Sequence, residues 1–178
     1  MNDNDRTTLV LGDLTALFAA RSVYHKSINY AKLDETLKRV LGVESYDSNI
    51  WFTLFRQDNE KQVSFVQGLR DLGWDIETVS TREIKRMSDS RQYRFDTRIA
   101  YNLGLAVEGY DRVVVVSDSY ELYPALVHLH EDDPKIDTYL AFFSDALDGR
   151  WWKEIRREGS RLHLIDLEEE LHREEGLK

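Results

Sequence analysis

The sequence contains no cysteine. That excludes disulfides, thiolate zinc sites and cysteine nucleophiles, and it fits a reducing compartment. Proline is nearly absent: Pro124 and Pro134 are the only two in 178 residues. No Pro/Gly/Ser-rich stretch breaks the chain into parts. No apolar run approaches the ~20 residues that cross a bilayer. The opening residues Met1-Asn2-Asp3-Asn4-Asp5 lack the basic and apolar regions of a signal peptide. These absences predict a cytoplasmic protein without membrane association. They also predict one domain over residues 1–178, with a core at about 7–167 and a charged tail at 168–178.

Positive charge is also in short supply, with 24 Lys and Arg against 33 Asp and Glu, a net −9. This argues against a protein that binds nucleic acid over its whole surface. A local basic patch stays open. Hydrophobic residues make up 42% of the chain, enough for a globular core that needs no staple.

Strand and helix patterns alternate along the chain. Residues 7–11, 50–55, 74–79, 113–116, 138–143 and 162–165 are β-branched or apolar and read as strands, with Val113-Val114-Val115-Val116 the clearest. Helical spacing recurs in Leu33, Leu37, Val40 and Leu41, and in Val63, Val66 and Leu69, the latter closed by Gly73. It recurs again over 95–108, in Leu122, Leu126 and Leu129, over 151–157, and in the charged tail. Apolar strands separated by helices predict a three-layer α/β/α fold around a mostly parallel sheet. Residues 80–94 have little periodicity and read as a long surface loop.

In such a sheet, ligands bind beyond the carboxyl ends of the strands. Asp13 directly follows the first strand. Asp118 follows Val116-Ser117, with Glu121 one turn further on, and Asp96 opens a helix. Carboxylates gathered on one rim repel each other unless a cation lies between them, and hard oxygen ligands suit Mg²⁺ or Mn²⁺. Each of these positions is equally an ordinary helix cap; only their convergence points to a metal. No phosphate-binding glycine loop and no Gly-x-Ser-x-Gly elbow accompanies them. An α/β enzyme acting on a small phosphorylated ligand stays open at this point.

Three blocks carry a family resemblance. They are Asp13-Leu14-Thr15-Ala16-Leu17, then Phe95-Asp96-Thr97-Arg98-Ile99-Ala100-Tyr101-Asn102, then Ser117-Asp118-Ser119-Tyr120-Glu121-Leu122-Tyr123-Pro124. Their order and spacing resemble the LabA-like NYN domain of the PIN-like nuclease superfamily. The closing His163-Leu164-Ile165-Asp166-Leu167 is similar to the family's end. The resemblance covers residues 7 to 167. The chain departs from the pattern at Ala16, where the family has Asn, and at Asn102, where it has Asp. Ser119 stands at the first Asp position of the third block, with Asp118 one place earlier, and Glu121 at the second.

The resemblance implies a metal-dependent ribonuclease. Asp13, Asp96, Asp118 and Glu121 would be its catalytic and metal-binding carboxylates, Asn102 a neutral ligand, and Ser117 and Ser119 supporting residues. Mg²⁺ or Mn²⁺ would be the cofactor and RNA the substrate. The same departures imply the alternative, a catalytically degenerate module that binds RNA or a protein partner.

Charge adds an independent pointer. Arg82, Lys85, Arg86, Arg91, Arg94 and Arg98 face only Glu83, Asp89 and Asp96, so residues 82–98 carry +3 against −12 elsewhere. This basic segment leads into Asp96, where a phosphate backbone would pass, and Tyr93 and Tyr101 could stack on bases. The other reading is a solvated loop paired with the protein's own acids. Trp151, Trp152 and Tyr139 are candidate exposed aromatics for a homodimer.

Overall fold

The computed structural model describes residues 6–18, 28–80, 95–106, 109–155 and 162–175. Strand β1 (Thr8–Asp13) runs directly into a helical segment at 14–18. The described chain continues with α1 (Tyr30–Leu41), β2 (Ser48–Phe55), α2 (Glu60–Asp71) and β3 (Asp75–Ser80). Then come α3 (Asp96–Ala106), β4 (Arg112–Val116), a 3-10 turn (Tyr120–Leu122) and α4 (Tyr123–Asp132). Strand β5 (Asp137–Phe142), a second 3-10 turn (Ser144–Ala146), α5 (Trp151–Ile155), β6 (His163–Asp166) and α6 (Leu167–Glu175) complete it.

The six strands form one sheet in the order β3-β2-β1-β4-β5-β6, and every neighbouring pair is parallel. The expected sheet was mostly parallel; the observed one is wholly so. Each expected element is present among the described residues, with ends moved by a few positions. The predicted helix 122–129 begins instead with the 3-10 turn, and Pro124 then sits in the first turn of α4, where its missing N–H costs nothing. The expected loop at 80–94 lies outside the described residues from 81 onward.

Side-chain alternation divides the core into two layers. Leu9, Leu11, Val113, Val115, Leu140 and Phe142 face α3 and α4, whose Ile99, Leu103, Leu126 and Leu129 meet them, together with Phe95 just before α3. Val10, Val114, Val116 and Ala141 face the opposite side, against Leu33, Leu37, Val66, Leu69 and Leu167. Helices therefore cover both faces, and the strands are apolar throughout because neither face meets water.

Two tryptophans anchor the second layer. Trp51 of β2 and Trp74 stack at 4.1 Å with an 8° interplanar angle, both buried. The Trp74 indole N–H donates to Asp34 Oδ1 at 3.0 Å, and Lys38 Nζ lies 2.7 Å from Asp34 Oδ2. Asp34→Ala removes the acceptor of a buried indole donor. The expected cost is about 1–3 kcal/mol, read as a lower urea midpoint at unchanged slope.

The aromatics proposed for a homodimer divide. Trp151 is fully buried and belongs to the core, while Trp152 is about one-third exposed. Tyr139 is half-buried and stacks on His163 at 4.7 Å. No described helix is long and apolar enough to cross a membrane.

Candidate functional site at the carboxyl rim

The strand order places a topological switch point between β1 and β4. From β1 the chain builds outward to β2 and β3 on one side, then returns to build β4, β5 and β6 on the other. Loops diverge there and open a crevice at the carboxyl rim. Asp13 ends β1 in that crevice, and Ser117-Asp118-Ser119 leave β4 beside it. By alternation Asp13 shares the face of Leu9 and Leu11, the face covered by α3. Helix α3 runs away from this rim, so Asp96 at its start stands at the same end of the sheet.

Asp13 is 1% exposed. Its Oδ1 accepts from the Thr15 amide at 2.7 Å, from the Thr15 hydroxyl, and from the Ala16 amide at 3.3 Å. The carboxylate therefore caps the segment 14–18. Thr15, unassigned by sequence reasoning, is its main partner. Burial pushes the Asp13 carboxyl above its ordinary value of 3.8, the Thr15 and Ala16 bonds pull it down, and the charge of Asp118 raises it again. Desolvation wins over three hydrogen bonds. The amides at the start of segment 14–18 are therefore taken up by the Asp13 carboxylate.

Ser117 and Ser119 are both buried, and the Ser119 amide donates to Ser117 Oγ at 3.2 Å. They shape the turn that presents Asp118. Asp118 is half-buried, and its carbonyl accepts from the Asp148 amide at 3.3 Å. Beside it Ala16, Leu17, Val116, Phe142, Phe143 and Ala146 line a concavity with about 200 Å³ of empty space, part of it open to solvent.

The other predicted residues are spread out. Glu121 is exposed, and Arg150 Nη2 holds it at 2.9 Å. Asn102 lies six residues along α3 from Asp96, about 9 Å down the helix. Its amide donates back to the Arg98 carbonyl at 2.9 Å. Arg98 pairs with Glu77 of β3 at 3.1 Å. Arg82, Lys85, Arg86, Arg91, Arg94 and Tyr93 lie outside the described residues, whereas Tyr101 is 68% exposed on α3. Among the described residues no group of three carboxylate or histidine side chains is placed to share one ion. Asp118 is close enough to Asp13 for its charge to raise the Asp13 carboxyl, as the smallest of the influences on it.

Next to Asp118 stands an aromatic cluster that sequence reasoning missed. Tyr120 and Tyr123 stack at 5.4 Å with an 8° interplanar angle, and Trp151 meets both edge-on at 5.4 and 5.6 Å. Both hydroxyls donate to the Glu154 carboxylate, at 3.3 and 3.0 Å. The Arg150 guanidinium lies 4.7 Å over the Tyr120 ring. The three-residue spacing of Tyr120 and Tyr123 was visible in the sequence. Their meeting with Arg150 and Glu154, some thirty residues on, was not.

At the far end of the sheet Asp166 repeats the device of Asp13. Its Oδ1 accepts from the Glu168 and Glu169 amides at 3.0 and 3.3 Å and caps α6, while Oδ2 accepts from the Ser144 hydroxyl.

No family model matches the chain, and no curated protein matches it. Among solved structures it is similar to a Vibrio parahaemolyticus protein of unknown function, VPA0982, with a TM-score of 0.68 and 13% identity. That match covers 93% of this chain and 97% of the other. It is also similar to a de novo designed protein of P-loop NTPase fold, with a TM-score of 0.44 and 13% identity, covering 97% and 91%. The first likeness shows a shared α/β/α fold.

Proposed function

We propose that this protein is a divalent-metal-dependent ribonuclease of divergent NYN/PIN-like type, with Asp13 and Asp118 as its primary carboxylates. The observation that supports the reading is the pairing of a buried, desolvated Asp13 with Asp118 at the switch point between β1 and β4. Two carboxylates suffice for Mg²⁺, which keeps several waters and takes further oxygens from substrate phosphate. The donor set therefore fits Mg²⁺ or Mn²⁺ in its minimal form, and Asp96 on the same rim is the third candidate ligand. When bound, such an ion would activate water and clamp a phosphodiester oxygen.

The chain's own residues do the positioning. Thr15 and Ala16 hold Asp13 Oδ1, which orients the carboxylate. The Ser117 and Ser119 turn aims Asp118. The +3 charge of residues 82–98, which precede and include Asp96 in the sequence, supports RNA as the ligand.

Wild-type protein with Mn²⁺ is expected to cleave mixed RNA. Asp118→Asn is expected to lower the rate by about 100-fold or more, the scale of losing one electrostatic stabiliser. Equal rates in the two proteins would remove Asp118 from the site.

A second reading is favoured by one specific observation. Glu121 is held by Arg150, and among the described residues no group of three carboxylate or histidine side chains is placed to share one ion. In that reading the domain binds RNA or a protein partner without cleaving it. RNA binding that persists in EDTA, with no cleavage in Mn²⁺, selects it.

A further inference from the structure

We infer that the Arg150–Tyr120–Tyr123 stack is a nucleobase-binding platform beside Asp118. It takes its substrate class from the ribonuclease reading and adds a specificity-determining surface to it.

The argument starts from what holds the guanidinium still. Arg150 Nε and Nη2 donate to both oxygens of Asp148, at 3.1, 3.3 and 2.8 Å, and Nη2 also reaches Glu121 at 2.9 Å. These contacts hold one edge of the guanidinium and restrain its rotation. Its inner face rests on Tyr120. Tyr120 is fixed in turn by Tyr123 behind it, by the edge of Trp151, and by the Glu154 carboxylate at its hydroxyl. The Arg150 side chain is nonetheless 51% exposed. The result is a rigid, flat cationic plate with its outer face toward solvent.

The chemistry left on that plate selects its ligand. The side of the fork formed by Nε and Nη2 is spent on Asp148 and Glu121, so Arg150 cannot offer it to a phosphate. Two carboxylates around one guanidinium also leave the patch at −1, which repels phosphate. The outer π-face remains, and planar aromatic rings stack on it. A nucleobase fits, and a base bearing an exocyclic amino group fits best, because Glu121 is 63% exposed and accepts hydrogen bonds. Purines offer the larger stacking face, so adenine is expected to exceed uracil.

Position supports the assignment. Tyr120 is two residues from Asp118, and the Asp148 amide bonds the Asp118 carbonyl at 3.3 Å. A base on the plate therefore brings its own nucleotide to the carboxyl rim, next to the paired carboxylates.

The test uses adenosine and uridine with the full chain in EDTA, read by NMR at Tyr120 and Arg150. Adenosine is expected to shift these signals saturably in the millimolar range, with uridine several-fold weaker. Arg150→Lys keeps the charge and removes the plane, and is expected to lower adenosine affinity about five-fold or more, as stacking energies imply. Glu121→Gln, which loosens the clamp without touching the plate, is expected to weaken binding less. Signals that stay still in adenosine, or Arg150→Lys binding as tightly as wild type, would overturn the platform. Stacking that persists while no RNA is cleaved supports the platform and overturns the ribonuclease reading alone.

Discussion

Replacing Asp13 by Asn is expected to raise the melting temperature of the metal-free protein at pH 7 and to remove its response to Mn²⁺. The reason lies in the balance at Asp13. Burial raises its carboxyl above the ordinary 3.8, despite the Thr15 and Ala16 bonds. The native state therefore holds this proton to higher pH than the unfolded chain does. The contribution to stability is full below about 3.8 and is lost as pH rises through the native value. Above that native value the protein bears the cost of a buried carboxylate beside Asp118.

Asparagine keeps an oxygen for the Thr15 and Ala16 amides and carries no charge. Each kcal/mol it recovers raises Tm by about 2–4 °C in a chain of this size. The gain should shrink toward zero as pH falls to the ordinary carboxylate range, where wild-type Asp13 is protonated too. Mn²⁺ at ten times its Kd should stabilise wild type by about 1.4 kcal/mol and the variant not at all. Thermal melts at pH 4 and 7, with EDTA or Mn²⁺, measure all four values. A lower Tm for the variant at pH 7 in EDTA would show that Asp13 is only a cap. Residues kept for chemistry at a cost in stability behave in the opposite way.

The second large effect falls one residue earlier. Gly12 lies opposite Trp51 across β1 and β2. A Cβ built on Gly12 would come within 2.0 Å of the Trp51 ring. That ring cannot retreat, because Trp74 stacks on its other side at 4.1 Å. Gly12→Ala must therefore displace the tryptophan pair or bend β1. Overpacking of this kind costs about 1–3 kcal/mol, and Gly12→Val should cost more. Denaturant unfolding measures it. Because Asp13 is next in the strand, the same variants are expected to weaken Mn²⁺ binding, which separates them from a distant destabilising change such as Asp34→Ala.

The two substitutions also mark how much the sequence could say. Asp13 and Asp118 were legible as strand-end acids because the apolar strands before them are legible. Their pairing was not, because nothing local states that β4, about a hundred residues later, lies against β1. Glu121 was read as a candidate ligand from its spacing. Its actual partner, Arg150, arrives from the loop after β5, which packs there only because β5 lies beside β4. Asn102 shared a block with Asp96, yet six helical residues separate the two along α3.

Gly12 showed the same division. A glycine at the end of an apolar strand reads as a break, but here it is the space into which Trp51 fits. Trp151 and Trp152 were indistinguishable as neighbours in sequence. The short helix α5 turns one inward against Tyr120 and Tyr123 and leaves the other partly outside.

What the sequence alone determined was the alternation of strands and helices, the parallel α/β class, and the placing of acids at strand and helix ends. These depend on periods of two and 3.6 residues and on caps, which neighbouring residues settle among themselves. The tertiary structure decided the strand order, the burial that lifts Asp13, and the company each acid keeps. Those follow from packing between segments distant in the chain, where one side chain's charge and volume act on another across space.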